Sequence, residues 1–316
     1  MVTKKKDTFQ IVPFSPAYER DLLELERMTA QGFLIKMEMS RPHFLSRAET
    51  FEKHAAYVVL QEGTKPVACG IGAEVPLCLE GNLHRAGFGF DVLVNPAFRN
   101  LGIGKTITQH VTNQFFNPQK LAPQFTTTKI NNLPTLQLLS RSYRNTHLYE
   151  FLYLSFPTAK TIRVDSNNID DTRFKVDLLS SHDKLTDYYE TTESGLGLWK
   201  THKFYQLRVK SVNPVLSGGM LLGSRLIRIN KYVPVVGSIL KTVTVFNLTS
   251  SNVNTLPEVS LQLYKEGINY IQICCQPSDP VYRALHKSAI NAFSYYLVST
   301  QEFDAHKRIT VDVRCL

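Results

Sequence analysis

One stretch limits the possible folds more than any other: Phe90-Asp91-Val92-Leu93-Val94-Asn95-Pro96-Ala97-Phe98-Arg99-Asn100-Leu101-Gly102-Ile103-Gly104-Lys105. Phe90, Val92, Leu93 and Val94 make a short apolar, β-branched run that reads as a buried strand, and Pro96 stops it. From Thr106 to Phe116 the apolar residues Ile107, Val111 and Phe115 recur at helical spacing. The pattern is strand, glycine-bearing loop, helix. The first N–H groups of a helix have no partner within it, so they favour an anion. Gly102 and Gly104 let a phosphate approach the backbone, and Arg99 offers a fixed fork of donors. A Walker loop needs a first glycine that is missing before Gly104-Lys105-Thr106. A dinucleotide loop needs a third glycine where Ile107 stands.

What fits is Arg-x-x-Gly-x-Gly at Arg99–Gly104. Set between a strand and an amphipathic helix, it resembles the pyrophosphate loop of the GCN5-related N-acetyltransferase (GNAT) superfamily. The expected elements around it are similar to that family's order. A strand over residues 8–14 precedes a helix capped by Ser15, with Leu22, Leu23, Leu25 and Met28 as its stripe. A second short helix is expected over 44–51. Three antiparallel strands follow at 55–60, 66–79 and 85–94, then the helix after the loop. Next come a strand at 124–130, a helix entered at Asn132-Leu133-Pro134, and a strand at 148–156. The expected fold class is α/β (α+β): a GNAT-type mixed sheet flanked by helices.

The resemblance implies acetyl-CoA, or another acyl-CoA, as co-substrate. It places the pyrophosphate on Arg99, Asn100, Leu101, Gly102, Ile103, Gly104 and Lys105. It places the pantetheine on the backbone of Leu93 and Val94. Asn132 and Leu138 match the family's Asn-x-x-Ala-x-x-Leu-Tyr segment, which makes Asn132 a cofactor-binding candidate. Position 139 is Leu where the family has Tyr, often the general acid for the CoA thiolate. The usual Gly-Phe after this helix is replaced by Ser142-Tyr143.

Residues 157–168 are polar and suggest a boundary, giving a catalytic domain at 1–156 and a second domain at 157–316. The second half offers a strand at 241–248, a helix at 257–264 ended by Gly267, and a buried strand at 268–275. A helix opened by Asp279-Pro280 runs to Ala289, and strands follow at 293–300 and 309–313. That order repeats the end of the first half, as a second, degenerate GNAT-like lobe. Its loop, Thr249 to Asn254, carries no Arg-x-x-Gly-x-Gly, so no CoA is expected there. The layout is similar to Hookless-type acetyltransferases, with an intact first lobe and a long C-terminal extension. Residues 215–240 read as an amphipathic helix with a basic face, more simply packed on the sheet than laid on a membrane.

With 316 residues, 43% hydrophobic and 20% charged, the chain is ordinary globular material for one large domain or two. A net charge of +9 suits polyanionic CoA. Nucleic acid is disfavoured by the absence of any RNA-binding or zinc signature. Five cysteines, none in C-x-x-C, read as buried reduced thiols in a reducing, cytoplasmic setting. There is no secretory signal and no uninterrupted apolar run of membrane-spanning length.

Acetyl transfer to an amine requires loss of a proton from nitrogen, polarisation of the carbonyl and stabilisation of the thiolate. Asp91 and Glu74 are the candidate bases. If Gly81-Asn82 is the hairpin turn, Gly72 falls roughly opposite Asp91, with Glu74 two residues along on the same face. Burial in an apolar run can raise such a carboxyl's pKa. A structural carboxylate paired with Arg or backbone is an equally good reading of each. Two functions stay open: an N-acyltransferase acting on an amine, and a non-catalytic acyl-CoA-binding or regulatory protein whose chemistry has decayed.

Overall fold

Apolar, β-branched runs separated by tight turns turn the middle of the chain into a sheet. The computed structural model describes residues 8–28, 35–79, 82–165, 175–176, 185, 187–212, 235–304 and 309–316. The first half runs β1 (Phe9–Pro13), α1 (Glu19–Arg27), β2 (Ile35–Ser40), β3 (His54–Gln61), β4 (Lys65–Leu79), β5 (Asn82–Val94), α2 (Ile103–Val111), β6 (Gln124–Lys129), α3 (Leu133–Ser142) and β7 (His147–Pro157). The second runs β8 (Lys175–Val176), β9 (Tyr189–Thr191), β10 (Gly197–Trp199), β11 (Gln206–Val212), β12 (Ile239–Leu240), β13 (Thr242–Phe246) and β14 (Leu248–Thr249). It ends with α4 (Leu256–Lys265), β15 (Tyr270–Cys275), α5 (Pro280–Leu285), β16 (Asn291–Ser299) and β17 (Ile309–Val311).

One mixed sheet crosses both halves in the order β1-β3-β4-β5-β6-β16-β7-β15-β13-β10-β9, with β17 on β4. Each half ends in a β-α-β-α-β run whose last strand is given to the other half. β16 lies between β6 and β7, with Tyr295 opposite Lys129 on one side and Phe151 on the other. β7 pairs in turn with β15, Phe156 opposite Ile271. Side chains alternate across a strand, so β7 serves two cores at once. Phe151 and Tyr153 enter the first core with Phe51, Phe88 and Phe125. Leu152, Leu154 and Phe156 enter the second with residues of α4 and α5. A small sheet, β12-β11-β2, adds another tie between the halves.

The two halves differ where a parallel strand pair meets its helices. β5 and β6 pair only at Gly87–Gln124 and Phe88–Phe125, then diverge toward Val94 and Lys129. β13 and β15 stay paired from Thr242–Tyr270 to Val245–Ile273. The first half therefore holds a V-shaped opening, and the second is closed at the equivalent place.

Several expectations change. Residues 44–51 hold turns and a 3-10 segment, Ala48–Thr50, rather than a second α-helix. Upstream, residues 35–40 form β2, whose partner β11 lies far along the chain and leaves no local signal. The helix after the loop ends at Val111 and continues as a π-helical turn, Thr112–Phe116. That turn lets Phe116 lie against Gly72 and Gly87, where a Cβ would come within 2.8 Å of its ring. α5 stops at Leu285 rather than Ala289. The hairpin turn at 80–81, and most of the helix expected over 215–240, lie outside the described residues.

Candidate active site

The loop builds itself from short-range chemistry. Asn95 Oδ1 accepts from the Ala97 N–H at 3.0 Å and folds Pro96–Phe98 into a 3-10 turn. Asn100 and Gly102 are left-handed, at φ 66° and 81°. Gly102 then caps α2 with no side-chain hydrogen bond, so the first-turn N–H groups of α2 have no side-chain acceptor. A Cβ at Gly102 would meet nothing within 4 Å, so glycine serves the backbone angle and keeps the approach open. Gly104 differs: its Cβ position lies 3.4 Å from Leu138 and 3.7 Å from Val94, which makes it a helix-packing glycine. Arg99 Nε donates to Val94 O at 3.4 Å, and its other donors bind no described residue. Asn132 caps α3, accepting from Thr135 N at 3.5 Å and donating to Thr128 Oγ1 at 3.0 Å. It ties the helix to β6 at the mouth of the V. Leu93 and Val94 lie on the arm of the V beyond its last pairing with β6, so their backbone on that side has no strand partner among the described residues.

Asp91 occupies a β-bulge. Phe90 stands opposite Ile71 and Leu93 opposite Cys69, and the extra residue takes φ 51°. Gly72 is therefore opposite Gly89, and Glu74 opposite Gly87, not one turn of the pleat from Asp91. The bulge turns Asp91 toward Arg41, whose Nη1 donates to Oδ2 at 2.7 Å. Arg41 is also bound to Glu26, through Nε at 2.9 and 3.1 Å and through Nη2, and its side chain is 2% exposed. Burial acts to raise the Asp91 carboxyl, but the charges of Arg41 and Arg47 and the Arg41 hydrogen bond hold it below the usual range. Glu74 also sits low, through its hydrogen bonds to Arg85 at 2.7 and 2.8 Å with Lys53 assisting, against a smaller effect of burial. The expectation that burial would raise either pKa is thus reversed, because each carboxylate has cationic partners.

Sequence reasoning missed the groups around these residues. The Arg47 guanidinium lies 5.5 and 5.1 Å from the Phe88 and Phe90 rings and donates to Arg314 O and Leu316 O. Thr127 Oγ1 donates to Cys315 O at 2.8 Å. Residues 313–316 thus cross from the β5 side to β6. Tyr153, Tyr205 and Tyr295 gather near Arg47, with Cys274 beside Tyr153 and Tyr295. Burial lowers the pKa of Lys129 at the end of β6. Leu139 is buried, and Tyr143, one turn on, meets Thr112 Oγ1 at 3.3 Å. This grouping depends on strand exchange, which leaves no local signal. All five cysteines are free thiols.

Comparison with known proteins agrees with this geometry. The Acetyltransferase (GNAT) family model matches residues 20–142, which include the V, the loop and α3. Residues 20–142 of this chain are thus similar to the GNAT family. No curated protein matches the sequence. Saccharomyces cerevisiae N-myristoyltransferase with bound myristoyl-CoA superposes over 96% of this chain and 85% of its own, at 9% identity and a TM-score of 0.56. A glucosamine N-acetyltransferase region of a fungal multi-domain GH3 β-N-acetylglucosaminidase covers 94% of this chain and 38% of its own, at 11% identity and 0.54. At such identities the likeness shows the fold, and it extends past the GNAT match through the second half.

Proposed function

We propose that this chain transfers an acyl group from acyl-CoA, with acetyl-CoA as the reference co-substrate, to the nitrogen of an amine. The observation that carries this reading is the V between β5 and β6, opening onto the uncapped N-terminus of α2. The N–H groups around Asn100–Lys105 and the guanidinium of Arg99 take the pyrophosphate. The backbone of Leu93 and Val94 on the β6 side takes the pantetheine, and Asn132 fixes the far wall by capping α3. The amine nitrogen attacks the thioester carbonyl, forming C–N as C–S breaks. The nitrogen loses a proton and the thiolate gains one. A strand N–H at Leu93 or Val94 polarises the carbonyl.

Of the two candidate carboxylates, Asp91 is the one placed at the bulge beside the V. Glu74 is tied to Arg85 and Lys53, which gives it a structural part. Leu139 cannot protonate the thiolate, so solvent or another hydroxyl does. The neighbour whose title names bound myristoyl-CoA supports an acyl-CoA in this fold. The second lobe takes none: Asn252 is buried there, accepting from Thr249 N at 2.7 Å and donating to Asn247 O at 2.9 Å, so the loop closes on itself. On this reading residues 1–156 and 157–316 are a catalytic and a supporting domain joined by exchanged strands. The test is thioester turnover over an amine panel, read as free CoA. Amine-dependent CoA release is expected. Tight acyl-CoA binding with no release above hydrolysis would favour the non-catalytic acyl-CoA-binding reading.

A further inference from the structure

Three tyrosine hydroxyls close to the V have no hydrogen-bond partner among the described residues. Tyr153 Oη is sealed from solvent without one. Tyr205 and Tyr295 are half-buried, and their hydroxyls stay reachable. The Tyr153 and Tyr295 rings pack at 4.9 Å. Ser46 Oγ, one residue before Arg47, donates to Phe204 O, one residue before Tyr205, at 2.9 Å. The three tyrosines thus come together beside Arg47 in one recess, where burial raises the pKa of both reachable hydroxyls. Polar groups this deep are normally satisfied, so a set of unpaired ones marks a place for water or ligand.

A fourth unpaired atom belongs to the same neighbourhood. Asp91 gives Oδ2 to Arg41, while Oδ1 binds no described residue. The side chain keeps 12% of its surface, so that oxygen is not sealed. The charge of Arg47 acts on Asp91 and on all three tyrosines, and that of Arg41 acts on Asp91 and Tyr205. Arg47 is spent on the carbonyls of Arg314 and Leu316 and on two phenylalanine faces, which leaves it poorly placed to receive an anion. Tyr153 comes from β7, Tyr295 from β16 and Tyr205 from the segment before β11, so the recess exists only because the halves exchange strands.

We propose that this recess is the acceptor site, with Asp91 Oδ1 receiving a protonated primary amine and the reachable Tyr205 and Tyr295 hydroxyls bonding an uncharged, hydrogen-bonding body. This rests on the acyltransferase reading and names its acceptor class: small amines on neutral hydroxyl- or amide-bearing bodies. Acidic amines find both Arg41 and Arg47 already committed to other acceptors. Polyamines leave extra charges among tyrosines. Aromatic walls suit the apolar faces of such a body as well as its ammonium.

The experiment titrates amines into the full chain by calorimetry, separately from CoA. The probes are glucosamine, glycinamide, glutamate and spermine. Glucosamine and glycinamide are expected to bind at least tenfold more tightly than glutamate or spermine. Tyr205→Phe and Tyr295→Phe should each weaken them several-fold, and Asp91→Asn at least tenfold, with CoA affinity within twofold of the parent in the tyrosine variants. Equal binding of all four amines, or affinities unmoved by the tyrosine substitutions, overturns the acceptor class. Failure of CoA to bind while the amine pattern holds would overturn the acyltransferase reading and leave the recess standing. Circular dichroism of each variant guards against loss of fold. Should Asp91→Asn not fold, the two tyrosine variants still decide.

Discussion

At the scale of single residues, the Glu26–Arg41–Asp91 triad is the most exacting feature. Two carboxylates share one nearly buried guanidinium, so Arg41→Met removes the cation that bridges them and should cost about 3–5 kcal/mol in urea unfolding. Arg41→Lys should rescue little, because one ammonium cannot reproduce the fork across two carboxylates. Glu74 gives a cleaner pH test. Its folded pKa is depressed, so its contribution is present above the unfolded carboxylate's value of about 4.3 and is lost as pH falls through the lower folded value. The stability gap between the parent and Glu74→Gln should therefore narrow on acidification below about pH 5. A gap that widens would mean the carboxylate is not held by Arg85. Sequence reasoning found Asp91 and Glu74 but not their partners. Arg41 sits before the stretch read as a short helix, and a guanidinium's destination cannot be seen in one dimension. Leu139 shows the converse, since its lack of a proton donor is legible at once.

Among the elements, the loop and the helix after it were the clearest in the sequence. Pro96, Gly102 and the Ile107–Val111–Phe115 stripe are local signals, and local chemistry builds that part of the chain. The π-turn at Thr112–Phe116 was not legible, because it exists to seat Phe116 on Gly72 and Gly87 of a sheet formed elsewhere. Gly87→Ala should accordingly cost about 1–3 kcal/mol through overpacking, read as a lower urea midpoint. Gly102→Ala should cost less stability, about 1 kcal/mol for the left-handed angle, because no atom stands near its Cβ. Gly104 looked equivalent to Gly102 in the motif, yet it packs on Leu138. A substitution there tests the α2–α3 contact as much as the phosphate site. β2 was missed because its strand partner among the described residues, β11, lies in the second half.

For the whole molecule, the exchange of β7 and β16 makes the halves one cooperative body. β16 completes the first sheet between β6 and β7, and β7 returns the exchange by joining β15. Reciprocity was hidden, since a strand's composition does not say which sheet it joins. A fragment of residues 1–156 loses β16 and exposes the edges of β6 and β7, so it should be poorly soluble or loosely folded. In the full chain, Trp199 fluorescence and far-UV circular dichroism should report coincident unfolding. The central claim is that one acyl-CoA binds, in the first lobe, with its pyrophosphate on the α2 N-terminus. Titration calorimetry with acetyl-CoA on the full chain and on Arg99→Glu tests it most directly. One site per chain, weakened at least tenfold (about 1.4 kcal/mol) by Arg99→Glu, is the predicted result. Two sites, no binding, or an affinity unchanged in Arg99→Glu would contradict it.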